Sequence, residues 1–317
     1  MKVLRALRRH GVLGINRRNA EYTLRWNPRG AYPAVDDKLL TKDLCARAGI
    51  PTPQLLAVAR QHFELRRLRE ALARLNSFVL KPARGAMGNG ILVICDRDGA
   101  RFRLAGGQRV TLDDLAYHAA GVISGLYALA GQADAAIVEE RLLVHPDFAA
   151  IASEGVPDVR VIVYRGVPVM AMTRLPTLRA GGRANLHQGA VAAGIDLESG
   201  RTTHAILQSR PIRKHPDTGE ALLGRAIPGF ADVLGFALRA ADETGLGYVG
   251  ADLVVDARHG PVMLEMNARP GLMIQLANRA GLLPRLRAVD REIGPDRSVA
   301  ERIALAVAIE ERARVPA

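Results

Sequence analysis

Residues 247–271 read GYVGADLVVDARHGPVMLEMNARPG, and these two apolar segments joined by a short polar turn predict a β-hairpin. Glu265 and Asn267 are two residues apart on the second strand, so their side chains point to the same face. With the turn centred between residues 258 and 259, Asp252 on the first strand lies directly opposite Glu265. Side chains paired in this way have Cβ atoms about 5 Å apart. The hairpin therefore brings two carboxylates and an amide together.

The paired carboxylates predict a metal site, because they repel each other unless a cation lies between them. Ligands that are all oxygen atoms, with one side open to phosphates, suit Mg²⁺ rather than Zn²⁺. The alternative is an exposed acidic hairpin, but Asp252 interrupts an otherwise apolar strand. We expect substitution of either carboxylate to remove the metal without disturbing the core. Val262, Leu264 and Met266 are expected on the opposite face.

A glycine-rich loop with the sequence KPARGAMGNG occupies residues 81–90, between two short apolar segments. Glycines let the backbone approach a phosphate chain closely and present its N–H donors. Lys81, at the end of the preceding strand, places an ammonium group beside the loop. The loop is not a Walker motif, since it lacks Gly-Lys-Ser/Thr and a following helix. It is either a phosphate-binding loop or an ordinary hairpin connection.

The composition allows a large core and argues against disorder. The chain has 317 residues, of which 49% are apolar, enough for two or three packed lobes. Cys45 and Cys95 are isolated, which fits a reducing compartment and predicts a cytoplasmic protein. The N-terminus is basic, but no apolar run of signal-peptide length follows it, and no segment has the length of a membrane helix.

The formal charge is +12, with 39 Arg and only 5 Lys. Such a charge favours anionic partners, or it reflects an arginine bias in composition. We do not expect nucleic acid as a partner, because the sequence contains no aromatic platform or recognised nucleic-acid motif. Two of the five lysines, Lys38 and Lys81, fall in segments that resemble phosphate-binding elements.

Apolar periodicity predicts a mixture of helices and strands without strict βαβ alternation, which indicates an α+β fold with antiparallel sheets. Helices are predicted over about 36–48, 65–75, 111–129, 230–241 and 298–312, with another from about 271. Strands are predicted over 78–81, 91–94, 136–139, 158–164, 167–173, 248–255 and 261–266.

Taken in order, these residues resemble the ATP-grasp superfamily and, within it, the RimK-type α-L-glutamate ligases and their relatives. The resemblance covers roughly residues 36–280. The matching stretches are Asp37-Lys38, Ala48-Gly49-Ile50-Pro51, Phe78-Val79-Leu80-Lys81-Pro82, Ile137-Val138-Glu139-Glu140-Arg141-Leu142, Asp158-Val159-Arg160, Arg183-Ala184-Asn185-Leu186-His187, Gly250-Ala251-Asp252 and Leu264-Glu265-Met266-Asn267-Ala268-Arg269-Pro270-Gly271.

The resemblance implies a role for each matched residue. The phosphates of ATP contact Lys38 and Lys81, under a flap that contains Gly85, Gly88 and Gly90. The adenine is read by Glu139, Glu140, Arg141 and Leu142, and the ribose faces Asp158. The metal ligands are Asp252, Glu265 and Asn267. The catalytic residues are Arg160, Arg183, Asn185 and Arg269.

The implied architecture is an ATP-grasp fold, in which two α+β lobes with antiparallel sheets clasp ATP and the N-terminal lobe is reduced. Residues 1–35 form that reduced segment, 36–140 the first lobe, 141–285 the second lobe and 286–317 a C-terminal helix. The implied cofactors are ATP and Mg²⁺, with two ions for which Mn²⁺ can substitute.

The implied activity is that of a carboxylate–amine ligase, which forms an amide through an acyl phosphate. An amino acid such as glutamate would be added to a peptide or a small acceptor. The alternatives are a phosphotransferase of the same fold and a non-catalytic nucleotide- or RNA-binding module. The partners are ATP and amino-acid or peptide substrates, with no membrane, and a homo-oligomer is compatible with the sequence.

Three departures from the family pattern concern the acceptor. About 35 residues precede Lys38, the first of the two phosphate-binding lysines, where such ligases carry a full lobe. Residues 145–152 are an extra stretch. Gln188 stands where the ligases tend to have a second basic residue. An open cleft is expected, with an acidic peptide as acceptor. The residues expected to face it are Arg160, Arg174, Arg179 and Arg269.

Overall fold

Two antiparallel sheets form the framework of the protein. The computed structural model describes residue 7 and residues 9–85, 88–128, 131–152, 155–295 and 297–314. The smaller sheet has six strands in the order β1-β6-β2-β3-β4-β5, and the larger has seven in the order β11-β10-β9-β8-β7-β12-β13. The predicted α+β class with antiparallel sheets is confirmed.

The six-stranded sheet is covered on one face by two helices, α3 (Leu65–Leu72) and α4 (Leu112–Ile123). Its strands are β1 (Leu55–Ala59), β2 (Phe78–Pro82), β3 (Leu92–Asp98), β4 (Arg101–Leu104), β5 (Arg109–Thr111) and β6 (Ala136–Glu139). Phe78, Leu80 and Val138 point towards the helices and form one core with them. Lys81 and Glu139 alternate with these residues and therefore lie on the opposite face of the sheet from α3 and α4.

Helix α4 begins where the sequence predicts, because Thr111 caps it. Thr111 Oγ1 accepts from the N–H of Asp114, and the Asp114 carboxylate accepts from the N–H of Thr111. The helix ends at Ile123, before Gly125 with a φ of +82°. The predicted end near residue 129 lies outside the described residues.

The seven-stranded sheet holds the main core. Its strands are β7 (Asp158–Tyr164), β8 (Val167–Leu175), β9 (Val191–Ile195), β10 (Thr202–Leu207), β11 (Arg210–Ile212), β12 (Tyr248–Asp256) and β13 (Gly260–Asn267). Helices pack around it, namely α5 (Pro146–Ala149), α6 (Phe230–Thr244), α7 (Ile274–Ala277), α8 (Leu283–Glu292) and α9 (Val299–Arg314). The helix predicted from about residue 271 is thus a single turn that begins at Ile274.

The N-terminal segment lies against the larger sheet. A helical stretch over Ile15–Arg17, Arg18–Thr23 and Leu24–Trp26 has a π-helical middle part. Tyr22 packs edge-on against Tyr164, with ring centroids 5.4 Å apart. This segment therefore serves as packing for the seven-stranded sheet.

Helices α1 (Pro33–Asp36) and α2 (Lys38–Arg47) also pack on the larger body. Cys45 and Val35 belong to the main core, although the sequence analysis grouped the chain after residue 35 with the first lobe. The strands of the six-stranded sheet all lie between Leu55 and Glu139. Helix α2 thereby carries Lys38 from the larger body to the edge of the smaller sheet.

The hairpin of β12 and β13 has the predicted pairing but a different turn. Asp252 lies opposite Glu265, while Asp256 pairs with Gly260, so the turn is centred on residue 258. A β-bulge between these two pairs inserts one extra residue into β13 and restores the predicted partners. The bulge also changes the faces. Val262 and Leu264 pack with Leu142 and Val254, whereas Met263 and Met266 belong to the main core. The prediction that Val262, Leu264 and Met266 share a face is wrong.

Candidate nucleotide and metal site

A row of charged side chains crosses four strands of the larger sheet. Strand pairing sets Arg174 opposite Asp158, Arg160 opposite Asp252, and Asp252 opposite Glu265. Arg174 donates to the two oxygens of Asp158 at 2.7 and 2.6 Å. Arg160 donates to both oxygens of Asp252 at 2.7 and 2.5 Å. Arg174 Nη2 also lies 2.9 Å from Asp252 Oδ2, so two guanidinium groups and two carboxylates form one network.

Burial and charge act in opposite directions on the two aspartates, because a low-dielectric environment disfavours ionisation. Burial opposes ionisation of Asp252, but Arg160 and Arg174 outweigh it and hold the pKa of this carboxyl well below its usual range. At Asp158 burial prevails and raises the pKa to about 6. Asp252 is therefore the carboxylate of this pair that is suited to face a cation.

The three predicted metal ligands meet at one point. Asn267 Nδ2 lies 3.2 Å from Asp252 Oδ2 and 3.5 Å from Glu265 Oε1. Within the described ranges, no group of three or more His, Cys, Asp or Glu is arranged to hold a metal. Asn267 thus donates to both carboxylates, so a cation would rest on Asp252 and Glu265, and on Asn267 once its amide turns to present Oδ1. This set fits Mg²⁺, which commonly binds one or two protein carboxylates and keeps water and phosphate oxygens as its other ligands.

Asp252 has a structural role that the sequence analysis missed. Its side chain is 1% exposed and bonded to two arginines. The structure argues against the expectation that substitution of Asp252 spares the fold, because the substitution would break a buried ion-pair network. Glu265 is half-buried, and its bond to Asn267 is long. Glu265 is thus the better position at which to test metal binding.

Three ammonium groups lie on the facing side of the cleft. Lys81 Nζ is 2.5 Å from one oxygen of Glu139, and Lys42 Nζ is 2.9 Å from the other. Burial opposes ionisation of Glu139, but Lys81 and Lys42 outweigh it and hold its pKa below the ordinary value. Lys38, the first residue of α2, donates to the carbonyl of Gly85 at 2.9 Å.

Lys38 connects this lysine cluster to the carboxylate hairpin. Burial lowers the pKa of Lys38, and the negative charge of Glu265 is the largest of the effects that oppose this. The N–H of Lys38 also donates to the carbonyl of Ala83, so α2 is fastened to the end of β2. The two predicted phosphate-binding lysines and a predicted metal ligand therefore line the same cleft.

The predicted flap is described only in part, since Ala86 and Met87 lie outside the described residues. At Gly85 a Cβ atom would lie 2.2 Å from Pro82 Cγ, so the close approach of the backbone requires glycine. The carbonyl of Gly90 lies 2.9 Å from His118 Nε2. Gly88 has a φ of +76°, and its contact with phosphate, like that of Gly85 and Gly90, stays a prediction.

Residues 139–142, predicted to read adenine, connect the two sheets. Glu139 ends β6, and the N–H of Glu140 donates to the carbonyl of Gln54. The carbonyl of Arg141 accepts from the Arg258 guanidinium at the tip of the hairpin. Leu142 is buried in the small apolar cluster on β12 and β13. The stretch leads from the smaller sheet to the larger one, and its contact with adenine stays a prediction.

Arg183 and Asn185 belong to the loop between β8 and β9. Arg183 is exposed, and its Cδ lies 4.0 Å from the position that a Cβ atom would take at Gly88. Asn185 Oδ1 accepts from the N–H of His187 and thereby caps a short turn. This loop therefore extends to the flap. In the same loop the Oε1 atom of Gln188 is buried and has no hydrogen-bond partner among the described residues.

The residues expected to face the acceptor differ in their surroundings. Arg269 is exposed, with its guanidinium 5.5 Å from the ring centre of Tyr32. Arg179 is exposed and lies over Gly189. Arg174, by contrast, is fully engaged by Asp158 and Asp252 and is not available to an acceptor.

The stretch 145–152 does not form an open rim. It contains the short helix α5, and Phe148 and Ile151 are each 1% exposed and belong to the main core.

Lys42, which belongs to the lysine cluster, was not predicted because its position, four residues after Lys38, looks like an ordinary helix surface. A period of four placed it on the same face as Lys38, which was the available signal.

A six-stranded sheet that carries the buried Lys81 beside helix α2, and a seven-stranded sheet that carries the carboxylate hairpin, match the predicted ATP-grasp architecture. A family model described as sugar-transfer associated ATP-grasp matches residues 17–291, and the chain belongs to that family. The resemblance to RimK-type ligases stays a prediction. No curated protein sequence matches the chain.

Several solved structures are similar to the chain at low identity. The ATP-grasp ligase PsnB with a minimal precursor has 17% identity and a TM-score of 0.42, over 90% of this chain and 63% of that one. The D-cycloserine synthetase DcsG has 16% identity and a TM-score of 0.46, over 90% and 73%. D-alanyl-alanine synthetase A of Vibrio cholerae has 13% identity and a TM-score of 0.43, over 88% and 66%. The chain spans less than two thirds of the PsnB length.

No described helix has the length and apolar character needed to cross a membrane.

Proposed function

We propose that the chain binds Mg·ATP between its two sheets and uses it to join a carboxylate to an amine. The observation that carries this proposal is the cleft itself, in which Lys38 connects a buried lysine cluster to the Glu265–Asp252 hairpin. A triphosphate with a divalent cation matches both sides. The family assignment supports the nucleotide, and the charge arrangement supports the metal.

In this proposal the lysines position the phosphates, and the hairpin holds the cation. Lys38 and Lys81 are within reach of a phosphate chain that runs along the end of β2. Asp252, Glu265 and Asn267 would hold Mg²⁺, which would supply positive charge against the negative charge that develops during phosphoryl transfer. Asp158 would hold the Arg174 guanidinium in the charged network rather than contact the ribose.

The acceptor side would be formed by the loop between β8 and β9. Arg183 lies beside the flap and would stabilise the transferring phosphate through charge-assisted hydrogen bonds. A substrate carboxylate oxygen would attack the γ-phosphate, ADP would leave, and an amine would then displace phosphate from the acyl phosphate. Gln188 Oε1, which has no hydrogen-bond partner among the described residues, would accept a hydrogen bond from that amine. Arg269 and Arg179 would bind carboxylates of the substrates.

The test is an ADP-release screen with mass detection of products. The panel contains amino acids, short acidic peptides, uronic acids and amino sugars, the last two because the family description refers to sugar transfer. We expect ADP together with an amide adduct that is lighter than the two substrates by one water. A phosphorylated product without an amide would instead identify a phosphotransferase. Absence of Mg·ATP binding by the purified chain would refute the proposal.

A matched pair of variants controls the screen. Arg183→Met removes a charge beside the flap, whereas Arg213→Met removes one from an exposed position on the far edge of the larger sheet. We expect loss of turnover in the first variant and wild-type turnover in the second. Equal turnover in the two variants would remove Arg183 from the site.

A further inference from the structure

The carboxylate of Glu139 is shared by two lysines from different elements. Lys42 on helix α2 contacts one oxygen at 2.9 Å, and Lys81 on strand β2 contacts the other at 2.5 Å. All three side chains are largely buried, with exposures of 13% for Lys42, 9% for Lys81 and 3% for Glu139. The buried group of one carboxylate and two ammonium ions therefore carries a net charge of one positive unit.

The two lysines are held differently. Lys42 has a second anchor, because its Nζ also donates to the carbonyl of Pro53 at 2.5 Å. Lys81 lies on the face of the smaller sheet opposite α3 and α4, and it is the first residue of the glycine-rich loop. An anionic ligand under that loop would therefore attract Lys81 and leave Lys42 in place.

We propose that Lys42 is a positioning residue of the nucleotide site, which neutralises Glu139 and so frees the Lys81 ammonium for the phosphates. This inference rests on the proposed function only in that the site must bind Mg·ATP. An unpaired buried carboxylate is strongly unfavourable. Without Lys42, phosphate binding would require Lys81 to leave Glu139 with no ion-pair partner among the described residues. The nucleotide would then compete with Glu139 for Lys81.

The proposal makes Lys42 act through the charge of Glu139 and not through contact with ATP. Lys42→Met should therefore weaken Mg·ATP binding on the order of tenfold or more. A tenfold change in affinity corresponds to about 1.4 kcal/mol, which is less than the cost of leaving a buried charge without its partner. Lys42→Arg retains the charge and should bind more tightly than Lys42→Met. In a Glu139→Gln background the carboxylate charge is absent, so adding Lys42→Met should change the affinity less than about threefold.

The experiment is a double-mutant cycle on the full chain, with Mg·ATP affinity measured by calorimetry and unfolding midpoints recorded for every variant. Lys214→Met, at an exposed position, controls for loss of one lysine charge. The proposal is supported when Lys42→Met weakens binding, Lys214→Met does not, and Glu139→Gln abolishes the effect of Lys42→Met. The comparison within the Glu139→Gln background remains informative if Lys42→Met alone does not fold.

Two outcomes would overturn the inference while leaving the proposed function intact. The first is wild-type affinity in Lys42→Met. The second is an equal loss of affinity from Lys42→Met in both backgrounds, which would indicate direct contact with the nucleotide or a general structural effect. A wild-type chain that binds no Mg·ATP would refute the proposed function itself, and the inference with it.

Discussion

Replacement of Arg174 by methionine tests the charged network beneath the site. The guanidinium makes three hydrogen bonds, two to Asp158 and one to Asp252, and its side chain is 13% exposed. Methionine fills a similar volume without charge. Asp252 keeps Arg160 as its partner, but Asp158, which is 5% exposed, loses both of its guanidinium bonds.

The cost of breaking one partner of a buried pair is about 3–5 kcal/mol. For a chain of this size that corresponds to a fall of the unfolding midpoint on the order of 5–10 °C. The assay is thermal and urea unfolding of Arg174→Met beside Arg66→Met, whose ion pair with Glu70 is 89% exposed at the arginine. Loss of such a surface pair costs about 0.5 kcal/mol or less.

A second variant identifies the cause. If the unpaired charge of Asp158 is responsible, the double variant Arg174→Met/Asp158→Asn should recover more than half of the lost stability, because no buried carboxylate remains unpaired there. Unfolding of Arg174→Met at the same midpoint as Arg66→Met would refute the reasoning. A double variant less stable than Arg174→Met would show that packing, and not charge, dominates.

Three other predictions follow from the site and the core. Glu265→Gln should abolish Mg²⁺-dependent nucleotide binding while lowering the unfolding midpoint little. Asp252→Asn should lower both the nucleotide affinity and the unfolding midpoint. Equal midpoints for the two variants would contradict the structural role of Asp252. Burial raises the pKa of Cys45 to about 11, so at pH 8 iodoacetamide should label the half-buried Cys95 much faster, as peptide mass analysis would show. The pKa of Glu139 lies below its ordinary value of 4.5, so its ion pairs stabilise the fold above that pH and are lost as the pH falls through the lowered pKa. The destabilisation caused by Glu139→Gln should accordingly be complete at pH 7 and shrink below about pH 4, which urea unfolding at several pH values would test.

The sequence predicted elements best where a local signal fixed a boundary. The capping box of Thr111 and Asp114 sets the start of α4, and a short continuous apolar run marks β6 at Ala136–Glu139. Short edge strands such as β5 and β11 were missed, because three residues carry too little periodicity to be recognised. The π-helical turn at Arg18–Thr23 depends on packing against the larger sheet, which no local pattern reports.

Pairing across the sheet was predictable, but the ion-pair partners were not. The opposition of Asp252 and Glu265 was predicted, but it results from a turn centred on residue 258 together with a bulge in β13. The Arg174–Asp158 pair needs the register of β7 against β8, in which a bulge between Ile162 and Val163 changes the alternation. A single sequence does not report such irregularities, so Arg174 was expected to face an acceptor although it lies within the network.

The two sides of the cleft carry opposite surpluses of charge. On the smaller sheet and α2, three ammonium groups lie near two carboxylates, those of Glu139 and Asp134. On the larger sheet, three carboxylates face the guanidinium groups of Arg160 and Arg174. A phosphate chain alone would satisfy the first side and be repelled by Glu265 on the second, and a free cation would meet the reverse situation. An anion that carries its own divalent cation satisfies both sides, because its phosphates neutralise the lysines while its metal neutralises the hairpin. Each component would thus improve the electrostatic environment of the other, which supports the proposal that the site binds Mg·ATP rather than ATP or the metal separately.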